Sequence, residues 1–218
     1  MVCAIVGVGP GVGLAVAKRF AREGFDLALI ARRPDALGDY IKELTEAAPA
    51  LKVRGFPADA GDAATLSTAL QNVILELGKV DVLVYNAAVL KPGNPATLVP
   101  EEVNQDFAVN VTGALVAAQA VLPAMQAMKS GTILFTGGGL ALNPYPMYAS
   151  LSIGKAGVRS LTFTLADELK PQGIHVATVT IAGFVKPGTR FDPDAIADVY
   201  WDLHSQPREN WEREFVFE

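Results

Sequence analysis

Val2-Cys3-Ala4-Ile5-Val6-Gly7-Val8-Gly9-Pro10-Gly11-Val12-Gly13-Leu14-Ala15 opens the chain and decides its fold. A run of β-branched and small apolar residues enters a glycine-dense turn, and an apolar segment at helical spacing leaves it. Glycines let the backbone reverse sharply and bring its N–H groups, with the positive end of the following helix dipole, against a phosphate. A P-loop is excluded because no Gly-Lys-Ser/Thr follows, and G-x-G-x-x-G fails because its third glycine falls on Val12. The spacing that fits is G-x-x-x-G-x-G on Gly7, Gly11 and Gly13. A merely tight turn is the bland alternative; the position between a first strand and a first helix favours a bound nucleotide.

Outward from this turn, short β-branched runs alternate with longer helix-period segments, the pattern of a parallel sheet covered on both faces. Strands are expected at Val2–Val6, Asp26–Ala31, Leu51–Phe56, Val80–Tyr85, Thr132–Thr136, Ile174–Ile181 and Glu214–Phe217. Helices are expected at Gly11–Glu23, Pro34–Ala48, Asp62–Leu77, Pro100–Met128, Ala149–Lys170 and Pro193–His204. The fold class is α/β: one Rossmann-like, doubly wound domain over residues 1–218, with a mostly parallel sheet of about seven strands flanked by helices.

Composition excludes several classes of function. A chain of 218 residues, half of them hydrophobic, buries a large core as one domain. Its net charge of -5 leaves no basic footprint for nucleic acid or an acidic membrane. Cys3 is the only cysteine and lies in an apolar run, so no intrachain disulfide forms and a buried thiol is expected. With two histidines and one cysteine, no metal cluster is expected. The absence of a basic leader or an 18-residue apolar stretch points to a cytoplasmic protein with no membrane partner.

Further residues fall in order behind the turn. Arg32 and Arg33 close the second strand, where an acid would bind the ribose of NAD and an arginine the 2′-phosphate of NADP. NADP(H) is therefore favoured over NAD(H), the alternative being two solvated charges ahead of Pro34. Asp59 follows the third strand, Tyr85-Asn86-Ala87-Ala88 closes the fourth, and Asn110 stands among apolar neighbours in Phe107-Ala108-Val109-Asn110-Val111-Thr112-Gly113. Lys155 begins Lys155-Ala156-Gly157-Val158, and Ile181-Ala182-Gly183 closes the sixth strand. Together these motifs resemble the short-chain dehydrogenase/reductase family over about residues 2–190. The resemblance implies that Gly7, Gly11, Gly13, Arg32, Arg33, Asp59, Asn86, Lys155 and Gly183 bind the cofactor. It gives Asn110 and Lys155 catalytic positions, Asn110 otherwise being a core amide and Asp59 a helix cap, although Asp62 suits capping better. A homodimer or homotetramer follows from the family's habit of pairing the helices equivalent to Pro100–Met128 and Ala149–Lys170.

The active-site segment departs from that pattern. Family members generally carry a serine on the fifth strand, a tyrosine about 13 residues later, and a lysine four beyond it. The i, i+4 spacing puts tyrosine and lysine on one helix face, where the ammonium lowers the phenol's pKa from about 10 toward neutrality. Counting back from Lys155, the tyrosine position holds Leu151 and the serine position Gly138. Tyr148 is the best substitute, two turns before Lys155 and so about 10.5 Å away along the axis instead of about 6 Å. Thr136 would accompany it in the alternative register, and Ser152 supplies only a weakly acidic alcohol. Residues 184–218 are a shortened, divergent lid and C-terminal region in which Tyr200, Trp201, His204 and Trp211 could line a substrate pocket, although aromatics at helical spacing more often pack in a core or an interface. The expected function is NADP(H)-dependent hydride transfer to or from a small carbonyl or alcohol through an atypical proton relay; the alternative is an impaired NADP(H)-binding sensor or scaffold.

Overall fold

A computed structural model of the chain describes all residues, 1–218. Seven strands form one sheet: β1 (Val2–Val6), β2 (Asp26–Ala31), β3 (Val53–Pro57), β4 (Val82–Tyr85), β5 (Gly131–Gly138), β6 (Ile174–Ile181) and β7 (Glu214–Phe217). Their order is β3-β2-β1-β4-β5-β6-β7 and every pairing is parallel. Both faces are covered, by α1 (Val12–Arg22), α2 (Pro34–Ala47) and α7 (Pro193–Ser205) on one side. On the other lie α3 (Ala63–Leu77), α5 (Gly113–Met128) and α6 (Ala149–Leu169). All residues of β1 and β6 are buried, which is why β1 reads as an unbroken apolar run, while β6 carries His175, Thr178 and Thr180 among its apolar residues. Cys3 is buried in β1 and its thiol is pushed well above the ordinary range, so it is inert.

The chain reverses direction across the sheet between β1 and β4, and the crevice outside their carboxyl ends is where such sheets take ligands. Most boundaries fall within two residues of the sequence pattern, but three differences have physical causes. Strands β3 and β4 begin at Val53 and Val82, because Leu51 and Val80 are apolar residues of the turns ahead of them. Strand β5 runs on to Gly138, where Gly137 and Gly138 pair with Thr180 and Ile181. The helix expected over Pro100–Met128 is α4 (Pro100–Phe107), a π-turn over Ala108–Thr112, and α5. There Asn110 turns inward so that its Oδ1 accepts the Val89 N–H at 2.8 Å, and Gly113 lies against the Ala60 carbonyl where a Cβ has no room. One expectation is corrected outright: Pro100–Met128 does contain a stretch long and apolar enough to cross a membrane, and here it packs along the sheet.

Candidate active site

The glycine turn closes β1 with no slack. Gly7 has φ +88°, a left-handed conformation, and a Cβ there would collide with the Ala87 backbone. A Cβ on Gly13 would lie 2.8 Å from the Gly7 carbonyl oxygen, whereas one on Gly9 or Gly11 would meet nothing within 4 Å. Helix α1 starts at this open space with no side-chain cap and no acidic residue in its first turn. Free N–H donors, the positive dipole end and room for close approach suit a pyrophosphate. Beside it, Arg32 and Arg33 stand exposed at the end of β2 and take part in no ion pair or side-chain hydrogen bond. Asp59 is exposed with Oδ1 accepting the Gly61 N–H, while Asp62 caps α3 through the N–H groups of Ala64 and Thr65.

The ends of β4 and β5 bring the next groups together. The Asn86 amide donates to the Gly7 carbonyl at 2.9 Å and accepts from Thr136 Oγ1 at 2.9 Å. Thr136 Oγ1 also meets the Tyr200 hydroxyl of α7 at 2.6 Å, and the Thr136 carbonyl accepts from Lys155 Nζ at 2.6 Å. Desolvation brings the Lys155 ammonium down from its ordinary value to about 8. Asn110 lies against α6, where a Cβ on Gly154 would be 2.7 Å from the amide nitrogen, and that nitrogen has no hydrogen-bond partner. Gly183, after β6, sits beneath the Phe191 ring with no room for a Cβ.

A profile of the family "short chain dehydrogenase" matches residues 1–193. The chain belongs to that family. Among its relatives, 2,3-dihydro-2,3-dihydroxybenzoate dehydrogenase of Bacillus subtilis (strain 168) is 31% identical over 199 residues, covering 91% of this chain and 71% of that one. Cyclohexanol dehydrogenase of Rhodococcus sp. (strain TK6) is 30% identical over 208 residues, covering 86% and 75%. A metagenomic short-chain oxidoreductase solved in complex with NADP superposes with a TM-score of 0.90 at 27% identity, over 99% of this chain and 96% of the other. The alcohol dehydrogenase from the archaeon Thermococcus sibiricus, complexed with 5-hydroxy-NADP, gives 0.89 at 26% identity, over 99% and 94%.

Within this short-chain dehydrogenase the expected site residues separate into two groups. Gly7, Gly11, Gly13, Asn86, Lys155 and Gly183 all stand at the carboxyl ends of β1, β4, β5 and β6 or on the helix facing them. Gly138 borders Lys155, since a Cβ built on it would lie 3.4 Å from the lysine's Cγ and Cε. Leu151 is 7% exposed. Tyr148 sits at the N-cap of α6, packs its ring 6.3 Å from that of Tyr145, and has no hydrogen bond to Lys155. Thr136 points its hydroxyl into the Asn86–Tyr200 link and only its carbonyl toward the lysine.

The C-terminal aromatics follow the packing reading and not the pocket one. His204 Nδ1 meets Thr132 Oγ1 at 2.9 Å, at the amino end of β5, and Trp201 packs edge-on against Phe20 and Phe25. Trp211 stacks on His175 at 4.8 Å, beside the start of β6. These three rings therefore lie at the opposite end of the strands from Lys155, because α7 runs antiparallel to the sheet and only its first turns reach the carboxyl edge. Tyr200 alone of the four approaches the site, through its hydroxyl's contact with Thr136, which no spacing in the sequence marked.

Proposed function

We propose that this protein is an NADP(H)-dependent oxidoreductase transferring hydride to or from a carbonyl or alcohol carbon of a small molecule, with Lys155 at the centre of an atypical proton relay. The observation that carries the proposal is one constellation on one sheet edge: the Cβ-free turn at α1, Asn86, and the desolvated Lys155 held at the end of β5. Backbone N–H groups of Gly9–Gly13 hold the pyrophosphate, Arg32 and Arg33 the 2′-phosphate, and Asp59 the adenine side. Asn86, Lys155 and Gly183 bound the nicotinamide end, and Asn110 supports Lys155 from the π-turn. Bound NADPH supplies the hydride. The NADP and 5-hydroxy-NADP of the two solved relatives support the choice of cofactor. Gly138 and Leu151 stand where the family's serine and tyrosine are expected, so the proton comes from Lys155 itself or through water or Tyr148. A homodimer or homotetramer in the cytoplasm goes with this proposal, supported by the apolar outer surface of Pro100–Met128.

One observation favours a second reading, an impaired NADP(H)-binding sensor or scaffold: the Lys155 ammonium meets a backbone carbonyl and no hydroxyl. Both readings expect NADPH to stabilise the fold by RT ln(1 + [L]/Kd), about 2.7 kcal/mol at a hundredfold excess over Kd. That corresponds to a rise in melting temperature of roughly 5–10 °C for a domain of this size. Arg32→Ala with Arg33→Ala weakens NADPH by about tenfold to a hundredfold and leaves NADH nearly unchanged, as loss of charged hydrogen bonds to one phosphate would. No shift with either nucleotide would end both readings, and turnover against a carbonyl panel separates them.

The rim of the crevice narrows the substrate. Leu90, Leu142, Met147, Phe184 and Val185 are all exposed and lie on the loops leaving β4, β5 and β6; Phe184 is 85% exposed. The loops are joined, since Gly93 N–H donates to the Met147 carbonyl at 2.7 Å and Gly139 packs against Ala182. Residues 88–98, 139–148 and 182–191 contain no carboxylate. A hydrocarbon-flanked carbonyl with no cationic group matches such a rim. Along a homologous series of 2-alkanones, kcat/KM with NADPH rises by about fourfold per methylene, from about 0.8 kcal/mol of apolar burial each, and Phe184→Ala flattens the slope. A flat series in the wild type removes this substrate class without touching the cofactor assignment.

A further inference from the structure

The hydroxyls of Thr136 and Tyr200 have no role in the function proposed above, yet Tyr200 is 0% exposed within the apolar cluster beneath α7 and its hydroxyl meets that of half-buried Thr136. We propose, resting on the NADP(H) reading of the glycine turn, that Thr136 and Tyr200 are positioning residues of the cofactor site. A one-way hydrogen-bond chain from α7 fixes the Asn86 amide and, through it, the Gly7 peptide.

The direction of the chain follows from proton counting. Asn86 Nδ2 donates to the Gly7 carbonyl, so its Oδ1 must be the acceptor that Thr136 Oγ1 meets. That contact uses the single proton of the Thr136 hydroxyl, so across 2.6 Å the Tyr200 phenol must be the donor. Burial pushes the Tyr200 phenol up from its ordinary value, and it keeps that proton. Tyr200 is thus not a displaced general acid; its proton is committed to holding Thr136.

The links cross neighbouring strands in sheet order, from α7 to β5, β4 and β1, at the edge where the turn begins. Gly7 is confined by Ala87 on one side and Gly13 on the other. Reorienting its peptide therefore moves the N–H groups of the following glycines. Without Thr136 Oγ1, the Asn86 Oδ1 loses the donor that holds it from the β5 side, and the Gly7 carbonyl alone is left to orient the amide. The family match ends at residue 193 and Tyr200 stands beyond it, so this control comes from the divergent C-terminal region.

The test is a fluorescence titration of NADPH on the intact chain, with the melting temperature of each unliganded variant recorded separately. Thr136→Val weakens NADPH by about tenfold and Thr136→Ser, which keeps the hydroxyl, restores binding to within about twofold of the wild type. Tyr200→Phe weakens it by about threefold, and the double variant Thr136→Val/Tyr200→Phe binds like Thr136→Val alone, because Tyr200 acts only through Thr136. A lower melting temperature with unchanged NADPH affinity in Thr136→Val assigns the chain to stability alone and overturns the proposal. Losses that multiply in the double variant overturn it as well. If Thr136→Val does not fold, Tyr200→Phe and Thr136→Ser decide: equal binding by wild type and Tyr200→Phe sinks the proposal. A wild type that binds neither NADPH nor NADH ends the cofactor reading and this one together, whereas unchanged binding in the variants ends this one alone.

Discussion

Leu151→Tyr combined with Gly138→Ser raises NADPH-dependent carbonyl reduction by about 10²–10⁴-fold over the wild type, the range a positioned general acid contributes. The geometry for this gain is in place. Residue 151 lies one helical turn before Lys155, and residue 138 borders the lysine side chain, with a Cβ accommodated at 3.4 Å. Gly138 has φ -166°, extended backbone that serine adopts without strain. A tyrosine at 151 places its phenol against an ammonium already freed from most of its solvent, which lowers the phenol's pKa toward the working range. Replacing a nearly buried leucine by the larger ring costs about 1–3 kcal/mol of packing, so NADPH binding and melting are measured beside turnover. The single Leu151→Tyr carries most of the gain and Gly138→Ser alone little, because the serine hydroxyl only supports a proton transfer that the phenol supplies. A double variant that folds, binds NADPH and shows no gain means that the vacancy at 151 is not what limits this protein.

How much of this was legible in the sequence depends on the physics of each element. Strands β1, β2 and β6 were readable to the residue because burial on both faces selects short runs rich in apolar and β-branched residues, even where β6 admits His175, Thr178 and Thr180. Leu51 and Val80 extended the pattern falsely, since apolar character reports burial and not ladder pairing; Val80 is buried in a turn. The π-turn was illegible because helical periodicity continues through Ala108–Thr112 and only the Asn110–Val89 contact shows why one residue is extra. The glycine turn was legible in detail because Gly7 and Gly13 answer to sterics that no other residue satisfies. The aromatics of α7 kept two readings, core or interface packing and a pocket lining, because helical spacing says which face is buried and not which end of the sheet it reaches; the packing reading is the one found for Trp201 and His204. The Thr136–Tyr200 contact spans 64 positions, and its only trace in the sequence was a hydroxyl on a buried strand and another on the apolar face of an amphipathic helix, each needing a partner.

If Lys155 is the proton donor, the pH dependence of the two directions is fixed by its lowered pKa of about 8. Reduction needs the ammonium, so kcat/KM for a carbonyl is level below pH 8 and falls about tenfold per unit above it. Oxidation of the alcohol needs the free amine and runs in the opposite sense, rising to a plateau above pH 8. The same shift sets a stability signature. The folded chain binds fewer protons than the unfolded one between about 8 and the ordinary 10.5, so stability rises with pH through that window. Below about 8 both states are protonated and the desolvation penalty is constant. Lys155→Met, of similar length and without charge, lowers turnover by about 10²–10⁴-fold, abolishes the limb near pH 8 and removes the rise in stability seen by urea unfolding between pH 7.5 and 10. Stability and chemistry then report one group by two independent measurements. A limb that survives in Lys155→Met and disappears in Tyr148→Phe would transfer the proton to Tyr148, through a ring that leans back one turn from the N-cap of α6 to the space Leu151 leaves without a hydroxyl.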